Sequence, residues 1–356
     1  MSTSPERPYG TRRYSEILRE TLQYVDDRRK GKIKSLLTPW PGLNKAGVNG
    51  IEWGSLVTIG ARPGAGKTLI VSQILREARK LNPTQDFNIL EFQFEMGAKQ
   101  SGSRAFAAET ALDYNQILST NKALDDYSYE LLQRYIKETE AMEAVGIHRL
   151  QINTPINNRE IVDAIKQVYV TLGNKPLVVT IDHSWLIKKA PDEKEKIATL
   201  YNTVEALMQI KKELPIIIFM ITQLNRTIDE PSRKEPGKIG NYPVSSDVFG
   251  GDALMQGSDM LLTLNNPFKA NIPLYGPKEY EAKKNRIFMH LIKVRNGSDD
   301  NDILFMEANF DRQKLIEVAE FTAQNPTGGS TYQRRSARNQ QQQQPQTFSS
   351  LNTFQP

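Results

Sequence analysis

Residues 55–81 read SLVTIGARPGAGKTLIVSQILREARKL, and this stretch decides the fold. The apolar run Ser55–Ile59 has the length and β-branched content of a buried strand, while Thr68–Leu81 repeats its apolar residues at helical spacing. Between them lies a glycine-rich turn. The phosphate-loop pattern G-x-x-x-x-G-K-[ST] fits from position 61, where Ala61 replaces the first glycine and Gly66, Lys67 and Thr68 keep their places. Backbone N–H groups of Gly64–Thr68 are expected to wrap an anion at a helix N-terminus, with Lys67 reaching the outer phosphates. The predicted nucleotide contacts are Arg62, Gly64, Ala65, Gly66, Lys67, Thr68 and Leu69, and the Thr68 hydroxyl is expected to ligate Mg²⁺. ATP and Mg²⁺ are the cofactors this chemistry calls for. A chance glycine-rich turn would need neither the strand before it nor the helix after it.

The alternation continues outward. Strand-type runs recur at Ile89–Phe94, Leu177–Ile181, Ile216–Ile221, Met260–Leu264, Ile287–Lys293 and Ile303–Glu307, with helical stretches such as Ile161–Leu172 and Ile197–Glu213 between several of them. Continuous apolar strands alternating with helices predict an α/β fold, a mostly parallel sheet covered on both faces. The last three runs lack helices between them, which predicts antiparallel strands at the sheet's end. In such a sheet ligands bind outside the carboxyl ends of the strands. Asp182 ends one strand there and is expected to hold Mg²⁺ with Thr68. Glu95 ends another, suited to accept a proton from an attacking water. Gln223 ends a third, an amide placed to sense a γ-phosphate. Each has a plainer reading as a cap or a surface group, but four features meet at one sheet edge.

The 356 residues hold 46 Lys and Arg against 41 Asp and Glu, and no cysteine. Disulfides, thiolate zinc sites, iron–sulfur clusters and thiol nucleophiles are therefore excluded. Residues 1–34 hold nine basic and five acidic residues and residues 325–356 hold three arginines and no acid, so the body between them is slightly acidic. A broad basic surface is not expected there. There is no run of about 18 apolar residues to span a membrane, and the charged start lacks a secretory signal's apolar core, so a cytoplasmic protein is expected. Tyr14, Ile17, Leu18, Leu22 and Val25 predict a short amphipathic helix, free to pack on its own chain or a neighbour. From Gln324 the chain is rich in Gln, Ser, Asn and Pro and is expected to be disordered. Its Arg334, Arg335, Arg338 and Phe354 suit a solvated tether or a partner contact. Three regions are expected: an arm with a helix over 1–34, one ATPase domain over 35–323, and a Gln-rich tail over 324–356.

Six segments in this order resemble the motor domain of the DnaB-type replicative helicases, from about residue 33 to 310: ARPGAGKT (61–68), FQFEM (92–96), IDHSWLI (181–187), KKELPIIIFMITQLNR (211–226), SDVFGGDALMQGSDMLL (246–262) and IKVRNG (292–297). In that family the loop reads A-R-P-x-x-G-K-T, so Ala61 is the expected variant; other RecA-like ATPases share only the first two or three elements. The resemblance implies a RecA-like core and an ATP-hydrolysing helicase that encircles single-stranded DNA as a hexameric homo-oligomer, moves 5′→3′ and unwinds forked duplex. It implies that Gln223 links nucleotide state to DNA. It also implies that Lys293 and Arg295 enter the neighbouring subunit's nucleotide site as an arginine finger in trans. The plainer reading of that pair is a basic edge strand with a turn at Asn296-Gly297. The Tyr14–Val25 helix would match the linker helix that docks on the adjacent protomer. A primase, a helicase loader and a single-stranded-DNA-binding protein are the implied partners, with no membrane involved.

Departures from the family pattern set further expectations. Only about 30 residues precede the motor, so the N-terminal domain through which many members meet primase is expected to be missing. Where members commonly carry an Arg-Glu pair, this chain has Val248-Phe249-Gly250-Gly251-Asp252. Gly250 and Gly251 are expected to offer N–H groups to DNA phosphates, and Phe249 either to stack on a base or to pack inward. Arg233, Lys234 and Lys238 lie in a Pro/Gly-rich segment, mobile and suited to phosphate contact or simply solvated. His183 replaces the usual aromatic after the aspartate and is given no catalytic role, and His148 and His290 are expected to be structural. Two rival functions fit the same motifs: a RecA-like ATPase that coats or loads single-stranded DNA without unwinding, and an ATP-regulated scaffold.

Overall fold

A computed structural model of the chain describes residues 11–297, 303–310 and 312–326. Helix α1 (Tyr14–Arg29) and α2 (Pro41–Ala46) precede β1 (Ser55–Ala61) and α3 (Lys67–Leu81). Then come β2 (Asn88–Gln93), α4 (Ala98–Thr110), α5 (Tyr114–Leu118), α6 (Asp126–Ala144), β3 (Arg149–Ile152), α7 (Asn158–Thr171), β4 (Leu177–Asp182), α8 (Lys196–Glu213) and β5 (Ile216–Gln223). After a long connection follow α9 (Gly251–Gly257), β6 (Met260–Asn265), β7 (Leu274–Tyr275), β8 (Tyr280–Glu281), β9 (Arg286–Val294), β10 (Ile303–Asn309) and β11 (Lys314–Val318).

Nine strands form one sheet in the order β11-β10-β9-β6-β1-β5-β4-β2-β3. The pairs from β6 to β3 are parallel, and β9, β10 and β11 are antiparallel. The central strands are apolar on both sides because both faces are covered. In β5, Ile217, Phe219 and Ile221 join the core under α2 and α3, whereas Ile216, Ile218 and Met220 join the core under α7, α8 and α9. A third cluster, with Tyr242, Tyr275, Tyr280, Phe288 and Phe321, seals the antiparallel end. Each fully buried side chain of this kind stabilises the fold by about 1.5–3 kcal/mol.

All seven expected strands and the four expected helices form. The expected antiparallel end is present, in the pairs β6–β9 and β9–β10, and β6 joins it to the parallel part by pairing with β1 in register from Val57–Met260 to Ala61–Leu264. The short helix α9, hidden by its glycine-rich start, precedes β6. The edge strand β3, the helices between 98 and 144, the β7–β8 ribbon and β11 have no counterpart in the sequence reading. Ala323 bridges to Tyr280, and past it the Asn325 N–H donates to the Lys278 carbonyl at 3.1 Å. The remainder of the expected tail, residues 327–356, lies outside the described residues.

Helix α1 buries no residue, and Tyr14, Leu18, Leu22 and Val25 stand exposed. Its C-terminal half is tethered through the Arg28–Glu52 ion pair (3.5 Å) and the Tyr24 hydroxyl, which donates to Glu52 at 3.1 Å. Among the described residues no helix is long and apolar enough to cross a membrane.

Candidate active site

The phosphate loop follows β1 at the carboxyl end of the sheet. Gly64 (φ +75°) and Gly66 (φ +101°) hold left-handed backbone that only glycine adopts without strain. Ala61, by contrast, is the last residue of a regular strand, paired with Gln223 on one side and Leu264 on the other. No glycine is needed there, which explains the departure from the general pattern. Gly66 caps α3, whose first residue, Lys67, is buried. Burial lowers the Lys67 pKa, and the nearby Glu95 and Asp182 carboxylates pull it back up. Ala65 and Leu69 bury their side chains in the core, leaving backbone groups to face a ligand.

Arg62, close enough to Lys67 for its charge to act on that ammonium, is engaged within the chain. It donates to the Leu224 carbonyl at 3.1 Å and pairs with Asp229 at 2.6 Å, fastening the loop to the segment after β5. A cation the sequence reading missed takes up a place by the mouth: Lys269 donates to the Gly64 carbonyl at 2.7 Å and lies 5.8 Å from the Phe310 ring centre. Lys269 and Phe310 also line an open cleft of about 630 Å³ with Lys284, Asn285, Glu307 and Asn309. Nothing local in the sequence marks Lys269, because its partner is 205 residues away.

Beneath the loop, the Thr68 hydroxyl donates to Asp182 Oδ2 at 3.3 Å. Asp182 is buried, and its Oδ1 has no hydrogen-bond partner among the described residues. Burial first, and the Glu95 charge second, push its pKa up to about 6, while Lys67 and Thr68 act the other way. An unpaired buried carboxylate oxygen is costly, so the site is built for a cation or donor from outside the chain. One hydroxyl and one carboxylate fit Mg²⁺, which keeps several of its own waters. No group of three or more His, Asp or Glu able to hold an ion occurs among the described residues. Glu95 is exposed just past the end of β2, beside this site and within the electrostatic reach of Lys67 and Asp182. Gln223 ends β5, half-buried, and its carbonyl accepts from the Phe249 N–H at 2.9 Å.

The connection after β5 is more ordered than expected. Arg233 is held within its own segment: it donates to the carbonyls of Gly240 (2.7 Å) and Tyr242 (3.1 Å) and grips the buried Asp247 carboxylate through two guanidinium nitrogens, one at 2.9 Å. Lys234 is partly buried, 4.0 Å from Asp229, and Lys238 is exposed. Gly250 and Gly251 are tightly packed. A Cβ on Gly250 (φ +71°) would meet Leu200 at 2.1 Å, and one on Gly251 would meet the Ser245 carbonyl at 2.4 Å. Phe249 is half-buried and stands edge-to-face against Trp185, 4.6 Å between ring centres.

Lys293 and Arg295 lie at the opposite, amino end of the parallel strands. Arg295 donates to Asp259 Oδ1 at 3.0 Å and to the Gln256 carbonyl at 3.0 Å, yet stays 44 % exposed. Asp259 is buried and also accepts from the Leu56 N–H (2.8 Å) and from the buried Lys211 ammonium. Lys293 donates to the Met255 carbonyl, and burial lowers its pKa. The sequence reading placed neither Asp259 nor Lys211 in a role, although both stand in the quoted segments.

The sequence pattern described as DnaB-like helicase C terminal domain matches residues 36–314. The replicative DNA helicase DnaB of Helicobacter pylori strain J99 is 26% identical over 340 residues, covering 90% of this chain and 62% of that protein. The replicative DNA helicase DnaB of Mycoplasma pneumoniae is 25% identical over 329 residues, 89% of this chain and 63% of that protein. The chain thus spans a little under two thirds of the length of these relatives. In fold it is similar to a separately solved ATPase domain (TM-score 0.69, 17% identity, 85% of this chain and 99% of that one). It is also similar to a DnaB-like replicative helicase solved for its interactions with primase (TM-score 0.66, 17% identity, 85% and 66%). On the span and order of its matched residues, this chain belongs to the DnaB-like helicase C-terminal domain family.

Proposed function

We propose that the chain is an ATP-hydrolysing replicative DNA helicase: a ring of identical subunits, six by family resemblance, that moves 5′→3′ on single-stranded DNA and opens forked duplex. The observation that carries this reading is the split site. The phosphate loop stands at one end of β1, whereas Arg295 is held, charged and partly exposed, at the other end of the adjacent β6, about 16 Å of strand away. A guanidinium anchored that far from its own loop is suited to complete another subunit's site, as a finger that stabilises charge developing on the γ-phosphate. Head-to-tail contacts of this kind close into a ring when the rotation between subunits closes. The exposed apolar side of α1 supports the same assembly, as the segment that docks on a neighbour.

Within one protomer, Lys67 and the loop N–H groups bind the β- and γ-phosphates. The open cleft beside Lys269, about 630 Å³, is large enough for the nucleoside. Thr68 and Asp182 would hold Mg²⁺, which when bound offsets phosphate charge. Glu95 accepts the proton of the attacking water. Gln223, paired to Ala61 at the loop's foot and bonded to Phe249, transmits nucleotide state to the segment over 224–250. Lys234, Lys238 and the backbone of Gly250 and Gly251 remain candidates for DNA contact, while Arg233 acts by holding that segment through Asp247. The regions 1–34 and 35–323 serve as docking arm and motor, and a loader, a primase or a single-stranded-DNA-binding protein would be met through surfaces outside the site.

The test is strand separation. Purified protein with ATP and Mg²⁺ is expected to unwind a fork bearing a 5′ single-stranded arm and to form closed rings in electron micrographs. Open filaments with no unwinding would replace this reading with that of a DNA-coating ATPase.

A further inference from the structure

Asp182 is followed by one turn of 3-10 helix, Ser184–Leu186, that carries Trp185 out of the sheet. The turn is fixed on three sides. The Ser184 hydroxyl donates to Thr222 on β5 at 3.2 Å, His183 Nδ1 accepts the Trp185 N–H at 3.3 Å, and the Lys196 ammonium donates to the Ile187 carbonyl. Phe249 braces the indole edge-to-face, with planes at 80°. The Lys196 ammonium lies 5.8 Å from the ring centre. Even so braced, Trp185 keeps 44% of its surface exposed, whereas Trp40 is fully buried. A large flat side chain that is both braced and half exposed presents a fixed apolar face to something outside the chain.

Its surroundings say what. Trp185 lines a cavity of about 190 Å³ with Arg62, Gln223, Asn225, Arg226 and Phe249. Arg226 is exposed and has no ion pair among the described residues. An exposed aromatic flanked by lysine and arginine, beside the amide proposed to relay nucleotide state, matches an occupant with flat bases on an anionic backbone. Resting on the helicase reading above, we propose that Trp185 is a base-stacking contact for single-stranded DNA, with Phe249 as its brace rather than the stacking ring. Every base has a π-face, so such a contact grips the strand without reading its sequence. It also ties the strand to the turn that begins at Asp182, so base contact and phosphate site share one short segment.

The full chain's own fluorescence tests this. Oligo(dT) is expected to quench tryptophan emission in the wild type and not in Trp185→Phe, which should still bind within a few-fold. Trp185→Ala should weaken oligo(dT) binding roughly tenfold or more. The same variant should bind an abasic oligonucleotide of equal length as well as the wild type does. If Trp185→Ala weakens oligo(dT) and abasic strands equally, the residue acts on the protein's structure and the proposal falls. It falls equally if DNA binds the wild type without quenching, or if the indole is instead quenched on concentrating the chain alone, which would make it a contact between copies. Failure of wild-type protein to bind either oligonucleotide would instead count against the helicase reading itself.

Discussion

The two ends of the parallel strands are built differently. At the carboxyl ends, buried polar atoms are left over: Asp182 Oδ1 and Gln93 Oε1 have no partner among the described residues, and Asp182 and Lys67 are shifted by burial. Around Asp259, at the amino ends of β1 and β6, the polar groups are matched. Asp259 accepts from Lys211, the Leu56 N–H and Arg295, and Lys293 is bonded to a carbonyl. Unsatisfied polar groups persist where a ligand completes them, and saturated ones where a side chain must be held in place. On the function proposed above, the first end takes a nucleotide and its ion, and the second presents a fixed guanidinium to a neighbouring subunit.

Removing Arg295 should have the largest effect. Arg295→Ala is expected to lower kcat for ATP by on the order of 10³-fold or more, the usual loss for a finger, with nucleotide affinity little changed. Steady-state ATPase and nucleotide titration separate the two; a loss below tenfold would reduce Arg295 to a surface residue and erase the contrast. Next comes its anchor. Asp259→Ala leaves Lys211 buried and unpaired, which should cost about 3–5 kcal/mol in denaturant unfolding. Little change in the unfolding midpoint would mean that the amino end is not the rigid support described.

At the carboxyl end, Glu95→Gln is expected to slow hydrolysis about 10²-fold while retaining nucleotide binding. Turnover at the wild-type rate would show that another group receives the water's proton. The last effect depends on pH and concerns His290, fully buried on β9 of the same sheet and bonded to the Tyr275 hydroxyl at 2.9 Å. Burial pushes its pKa down from 6.5 to about 3, so it stays neutral in the fold while the unfolded chain takes up a proton below 6.5. Stability should therefore fall as pH drops from 6.5 towards 3, by up to about 1.4 kcal/mol per pH unit from this residue. Chemical unfolding of His290→Asn across that window should show a shallower decline than wild type; parallel declines would contradict the assignment.

What the sequence revealed follows the same division. The phosphate loop, Asp182, Glu95 and Gln223 could be read because strand ends carry their chemistry within a few residues of an apolar run. The sheet was legible because burial on both faces makes central strands apolar throughout, and β3 was missed because its four residues are only half-buried. Contacts made across the fold left no local trace. Arg233 looked free because Asp247 reaches it only through a folded loop, and Lys269 looked like surface because Gly64 is distant in sequence. Gly250 and Gly251 looked like exposed backbone, whereas Leu200 and Ser245 pack where their side chains would be. Trp185 stood inside a quoted motif, but only its bracing by Phe249 distinguishes it from a core residue.

The split site can be tested directly by mixing two inactive subunits. Lys67→Ala removes the phosphate lysine and keeps the finger, and Arg295→Ala does the reverse. An interface formed from the intact loop of one and the intact finger of the other is wild type in every catalytic group. Mixed oligomers should recover part of the ATPase activity that neither variant shows alone. If both variants are confirmed to assemble together and no activity returns, Arg295 does not act across subunits, and the account of a site shared between neighbours is wrong.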